Sequence, residues 1–222
     1  IRRAQEIEPD YAISRVAQAM MALPIAPQTV SESVSAPGEF ERALRELSAW
    51  LGSLPANRAR FSAAIGSQQP FYLAYRDGNH VELLSRYGDL VAEGAGRTPI
   101  AFVPERKKLR LAVASQYFRR HSVWDIILKG LLTHLDRARF EIVLYHLGNA
   151  EDDQTAVARS LADVWRDFRN IAGLGGWLNA VATDLPDAIL YPEIGMDPMT
   201  LRLAARRLAP LQMATWGHPI TT

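Results

Sequence analysis

Arg119, Arg120 and His121 close the stretch LAVASQYFRRHS (111–122) with two guanidiniums and an imidazole. Guanidiniums pair with phosphate or carboxylate groups, and an imidazole at a helix start donates or accepts a proton near neutral pH. A second stretch, YPEIGMDP (191–198), offers Glu193 as a base or hydroxyl acceptor. In the same stretch Asp197 reads as the N-cap of a helix opened by Pro198. The last stretch, WGHPITT (216–222), sets Gly217, His218 and Pro219 in a tight loop before Thr221. Each group also has an ordinary use: solvated arginines, a packed imidazole cap, a solvated Glu193, a structural His218. Asp152 or Asp153, in YHLGNAEDD (145–153), reads as a helix cap rather than as chemistry.

These residues stand at the ends of strand-like runs. Strands are expected at 109–115, 140–148, 163–168, 187–193 and 211–217, separated by helices at 124–135, 153–162, 175–184 and 198–208. Short apolar strands alternating with helices imply right-handed crossovers and a parallel sheet covered on both faces. Ligands of such sheets bind outside the carboxyl ends of the strands, where SQYFRRHS, YPEIGMDP and WGHPITT all fall.

The first hundred residues read as helical. Ala4 and Ile7, then Ile13, Val16 and Met20, recur at helical spacing on either side of Glu8-Pro9-Asp10, with Asp10 as the expected cap. A helix pair of this kind resembles the end of a tetratricopeptide array, and an ordinary helix pair fits as well. Residues 24–38 read as a Pro/Ser-rich connection and 39–65 as a helix buried through Phe40, Leu44, Leu47 and Leu51. PFYLAY (70–75) leads into the turn RDGN, residues 80–94 form a helix that ends at glycine, and RTPIAFVPERKK is a linker.

Composition narrows the classes. The chain has 222 residues, 25 Lys+Arg against 24 Asp+Glu, and no Cys. The near-zero balance gives no reason to expect nucleic acid or an anionic membrane as partner. Without cysteine there is no disulfide framework or thiolate site, and a cytoplasmic setting is expected. No window approaches the apolar length of a membrane span, and IRRAQEIEPD lacks the apolar core of a signal peptide. The absence of an initiator Met and the abrupt end at WGHPITT suggest a chain cut from something longer. The five His residues do not form a metal-ligand spacing, and GLGGWL (173–178) lacks the third glycine of a dinucleotide fingerprint, which disfavours a nicotinamide oxidoreductase.

In order and spacing, LRLAVASQYFRRHSVWDIILKGLLTHLDRARFEIVLYHLG (109–148) and RRLAPLQMATWGHPITT (206–222) resemble the O-linked N-acetylglucosamine transferase / SPINDLY-like glycosyltransferases. MALPIAPQTVSES (21–33) and QQPFYLAYRDGNHVELLSRYGDL (68–90) are similar to the bridge that bacterial members carry between tetratricopeptide repeats and catalytic region. The resemblance implies a GT-B architecture of two Rossmann-like lobes. Residues 1–23 would then be the repeat end, 24–108 the helical bridge and 109–222 the N-terminal lobe, with the second lobe outside this chain. It further implies inverting, metal-independent transfer from a UDP-sugar to a protein or peptide, with no cofactor beyond the donor substrate.

Under that reading His121, Glu193 and Asp197 are the catalytic candidates. Arg119, Arg120, Ser122, Gly217, His218, Pro219 and Thr221 are the donor- and substrate-binding ones, and self-association would run through the repeat region. Tyr117 stands where the animal enzymes carry an acid and Asp125 where they carry a second histidine. YPEIGMD and GHPITT resemble the bacterial cytosolic N-glucosyltransferases more closely. Both GlcNAc on Ser/Thr and a hexose on Asn therefore stay open. The altered residues at 117 and 125 also leave room for a non-catalytic interaction scaffold built on a degenerate lobe.

Overall fold

The computed structural model describes residues 1–96 and 105–216, which fall into a helical unit and an α/β unit. The helical unit comprises α1 (Arg2–Ile7), α2 (Ala12–Met20), α3 (Val30–Ser53), α4 (Pro55–Ala64), a 3-10 turn (Phe71–Tyr75) and α5 (Val81–Ala95). Phe40, Leu44, Leu47 and Leu51 of α3 are all buried, as their spacing predicts. Helix α3 begins earlier than expected, within the presumed connection. Thr29 accepts from the Glu32 amide at 3.1 Å, and Glu32 accepts from the Gln28 amide at 2.6 Å. Pro37 lies inside α3, which continues past it with Ala36, Phe40 and Leu44 buried on one face.

The expected single helix at 39–65 is broken at Leu54. Pro55 forces Leu54 into an extended conformation and opens α4 as its first residue. Asp10 is not the cap of α2; Tyr11 takes that position, and Asp10 pairs with Arg60 at 3.1 Å. Val16 and Met20 turn inward, while Ile7 and Ile13 face out. Helix α5 ends one residue later than expected, at Ala95, with Gly96 at φ +77° as its C-cap. Gly94 instead sits inside the helix against the buried Phe61 ring.

The α/β unit holds five parallel strands: β1 (Leu109–Ser115), β2 (Phe140–His146), β3 (Val164–Asp167), β4 (Ala188–Tyr191) and β5 (Leu211–Ala214). Their order is β3-β2-β1-β4-β5. Between them run a π-helical turn (Val123–Leu128) continued by α6 (Lys129–His134), then α7 (Asp153–Ser160), α8 (Gly173–Asp184) and α9 (Pro198–Ala204). The strands lie within the predicted ranges, and the α/β parallel class read from the alternation is the fold observed.

Val113, Ile142, Leu144 and Leu190 of the sheet pack with Phe118, Trp124, Leu128 and Leu132 into one buried cluster. Each such side chain contributes about 1.5–3 kcal/mol relative to exposure. The amino ends of the strands are tied by Arg110. Its Nε and Nη2 both donate to Glu141 at 2.9 Å, its backbone amide donates to Asp187 at 2.7 Å, and Nη1 donates to the Asp184 carbonyl. Among the described residues no helix is long and apolar enough to cross a membrane.

Candidate active-site lip at the strand ends

The strand order reverses between β1 and β4: from β1 the chain crosses to β2 and β3 on one side, then returns to β4 and β5 on the other. Loops at such a switch point diverge and leave a crevice at the carboxyl ends. The loop after β1 (116–122) and the turn after β4 (192–197) lie at this switch point.

The β1 loop is anchored inward and charged outward. Phe118 is fully buried, edge-on to Trp124 with ring centroids 6.1 Å apart. Tyr117 is buried too, and the His121 ring stacks on it at 3.9 Å with an 18° interplanar angle. Arg119 places its guanidinium 5.3 Å from the centre of the same Tyr117 ring. Arg120 and Ser122 are exposed. Arg120 donates from Nε and Nη2 to Asp153 at 3.0 and 2.7 Å, and its backbone amide donates to Asp152 at 2.8 Å. That pairing holds Asp153 down to about 2, through the Arg120 guanidinium first and then the Gln154 amide. Arg120 is thus engaged with α7, and Arg119 is the guanidinium left over the ring; among the described residues it makes no ion pair.

His121 has its pKa lowered, by burial first and by Arg119 second, against the opposing pull of Asp125. Its Nδ1 accepts from the Val123 amide at 3.2 Å. The neutral ring therefore carries its proton on Nε2 and presents a donor there. A donor suits a phosphate oxygen, whereas a base would need that nitrogen bare.

On the β4 side, Glu193 is fully buried. One carboxyl oxygen accepts from the Gln116 backbone amide at 2.8 Å, and the other is buried without a hydrogen-bond partner. Burial pushes its pKa up to about 8, while the Gln116 amide and the Ser115 hydroxyl pull the other way and Asp197 adds to the rise. Burial therefore favours the protonated form of Glu193, which lies in the interior rather than in solvent as its sequence position suggested. It opens a turn closed by the Met196 amide on the Glu193 carbonyl at 3.0 Å. Gly195 supplies the positive φ of +98° which that turn requires.

Asp197 is buried and caps α9 through the Thr200 amide at 2.7 Å, with Pro198 at the first helical position. Its carboxyl is committed to the helix rather than open to a substrate. Asp152 caps α7 in a capping box with Thr155, as its sequence position predicted. Thr215 after β5 donates to the Pro192 carbonyl at 2.8 Å. Gly217, His218, Pro219 and Thr221 lie outside the described residues. Among the described residues no group of three His, Asp or Glu side chains is placed to hold a metal ion.

Sequence reasoning missed Gln116 and Gly148. Gln116 hands its amide to Glu193 across the crevice. Gly148, after β2, lies so close to the Gln116 carbonyl that a Cβ there would be 2.5 Å from its oxygen. A glycine two residues past the end of a strand was the available signal for such an approach.

No family model matches the chain. Over 122 residues it is 29% identical to the UDP-glucose:protein N-beta-glucosyltransferase of Actinobacillus pleuropneumoniae, an overlap of 52% of this chain and 18% of that protein. In structure it is similar to an O-GlcNAc transferase of Thermobaculum terrenum, solved as a point mutant. The TM-score is 0.51 at 18% identity, covering 97% of this chain and 45% of that one. The chain therefore spans less than half the length of either. The chain thus has the fold of the corresponding part of an O-GlcNAc transferase of GT-B type, with an added sequence likeness to a bacterial N-glucosyltransferase.

Proposed function

We propose that this chain supplies the N-terminal lobe of a protein glycosyltransferase that moves a hexose or GlcNAc from a UDP-sugar to a protein side chain, with inversion. The observation that carries this reading is the arrangement at the β1/β4 switch point. A basic loop there offers a free-standing guanidinium, Arg119, and a neutral imidazole, His121, whose proton sits on the outer nitrogen. Donors fixed in advance toward a departing diphosphate stabilise the charge that develops on it, which is the largest single contribution in many transfer reactions. His121 and Arg119 serve the donor phosphates in this reading. The sequence likeness to an enzyme whose name specifies UDP-glucose and N-linkage favours glucose and asparagine over GlcNAc and serine or threonine. In this reading the protein acts in the cytoplasm, with residues 1–23 as the end of a repeat region and 24–108 as the bridge to the lobe.

The test is transfer by the longest natural protein containing this chain, with UDP-glucose and UDP-GlcNAc offered against Asn- and Ser/Thr-containing peptides. His121→Ala is expected to cut transfer by about 100-fold or more with the fold intact, the scale of losing one positioned donor. Transfer within a few-fold of wild type would make His121 a helix-start cap only. No transfer and no UDP release from the wild-type protein would favour the scaffold reading, for which Tyr117, stacked on His121, is the structural motive.

A further inference from the structure

Glu193 fits poorly as the acceptor-side base. A base must be ionised and must reach the substrate, yet this carboxyl is fully buried and one of its oxygens is already bonded to a backbone amide. What it does reach is the chain on the far side of the crevice. The bond from Gln116 to Glu193 joins residues 77 apart in sequence. It closes the switch point immediately beyond the last residue of β1, where the sheet ladder no longer holds the two chains together: β1 and β4 pair through Val113 and Leu190, two residues short of the end of β1. Among the described residues, the hydrogen bond from β4's side to the β1 loop beyond Ser115 is the one the Glu193 carboxyl accepts.

We propose that Glu193 is a positioning residue, a latch that fixes the β1 loop through the Gln116 amide and so sets the Tyr117–His121 stack at the mouth of the crevice. This deepens the functional reading above, because the loop it holds is the one assigned to the donor phosphates. The latch works as the neutral acid. The second oxygen is buried, with the Ser115 hydroxyl acting on the same carboxyl, so the group is shielded from water on both sides. The charged group acting on the carboxyl is Asp197 at the start of α9; the Ser115 and Gln116 contacts from the β1 side are uncharged. Ionisation would leave a carboxylate in a dry site beside a second carboxylate, with one amide and one hydroxyl to offset it. Opening the loop to water then becomes the cheaper course. The latch holds at and below neutral pH and slackens as pH rises through about 8.

The test reads the loop in this chain without turnover, so it stands or falls apart from the transfer assay. The probe is the NMR shift of the His121 ring protons, which report the stack because the two ring centroids lie 3.9 Å apart. Above pH 7, clear of the His121 ring's own titration, which burial lowers, the wild-type shifts move with a midpoint near 8. In Glu193→Gln, whose amide keeps an oxygen for the Gln116 amide, the wild-type shifts persist at all these pH values. In Glu193→Ala the stacked shifts are lost throughout, and the Gln116 amide exchanges at least tenfold faster. Wild-type shifts in Glu193→Ala would overturn the proposal, as would their loss in Glu193→Gln. Should Glu193→Ala fail to fold, the carboxyl carbon of Glu193 in the wild-type chain decides. Titration near 8, in step with His121, supports the latch, and titration in the ordinary carboxylate range overturns it.

Discussion

Gly148→Ala is the sharpest check on how tightly the β1 and β2 ends are clamped. The added Cβ falls 2.5 Å from the Gln116 carbonyl oxygen, 3.0 Å from its Cβ and 3.2 Å from its carbonyl carbon. Ordinary van der Waals contact begins at 3.4 Å, so the two backbones must part. They are poorly placed to do so. The Leu147 amide donates to the Ser115 carbonyl at 2.9 Å on one side of the contact, and the Gln116 amide donates to Glu193 at 2.8 Å on the other. The obstacle is backbone, so no side-chain rotation relieves it. Overpacking of this kind costs about 1–3 kcal/mol. In a chain of this size each kcal/mol lowers Tm by about 2–4 °C, so the expected fall is about 2–12 °C. Gly130→Ala is the matched control: Gly130 lies in α6 with nothing within 4 Å of a Cβ, and it should gain about 0.5–1 kcal/mol. Urea unfolding of both variants, followed by tryptophan fluorescence, measures the difference. A Gly148→Ala protein within about 0.5 kcal/mol of wild type would refute the clamp, since surface changes scatter over that range.

Other consequences can be checked alongside. The Glu193 carboxyl rises from an ordinary 4.5 to about 8 on folding, so between those values the folded chain keeps a proton that the unfolded chain has lost. Stability is then fully kept below the lower value, falls by about 1.4 kcal/mol per pH unit through the window and levels off above it. Glu193→Gln should remove that slope, so its stability advantage over wild type grows to about 3 kcal/mol by pH 7; parallel urea-midpoint curves from pH 5 to 8 would contradict this. Gly94→Ala would drive a Cβ into the buried Phe61 ring where α4 meets α5, costing about 1–3 kcal/mol in thermal melts. Phe118→Ala empties the inward anchor of the β1 loop and should cost about 3–5 kcal/mol in urea unfolding. Asp152→Ala removes both the cap of α7 and the acceptor of the Arg120 amide; it should reduce helicity by circular dichroism and lower the amide protection of residues 154 and 155.

Period and capping chemistry are local, and they were legible without coordinates. The alternation after residue 108 gave five parallel strands in the predicted ranges, and Asp152, Asp197 and Pro198 cap where their types and spacing say they should. Even local signals compete, and there the reading failed. Pro37 and the serines around it suggested a connection, but α3 starts at a Thr29 cap and runs through them with its apolar face buried. Strand order is different in kind. Nothing near residue 193 shows that β4 lies beside β1, so nothing shows that Glu193 will meet the Gln116 amide or be dry when it does. The same holds for Arg120, a free cation by sequence that folding pairs with Asp153, and for His121, whose tautomer follows from a backbone amide. Residue types and spacing determined which groups stand at the strand ends. Only the tertiary structure decided which of them are charged, committed or open, because burial and long-range pairing set desolvation and hydrogen bonding.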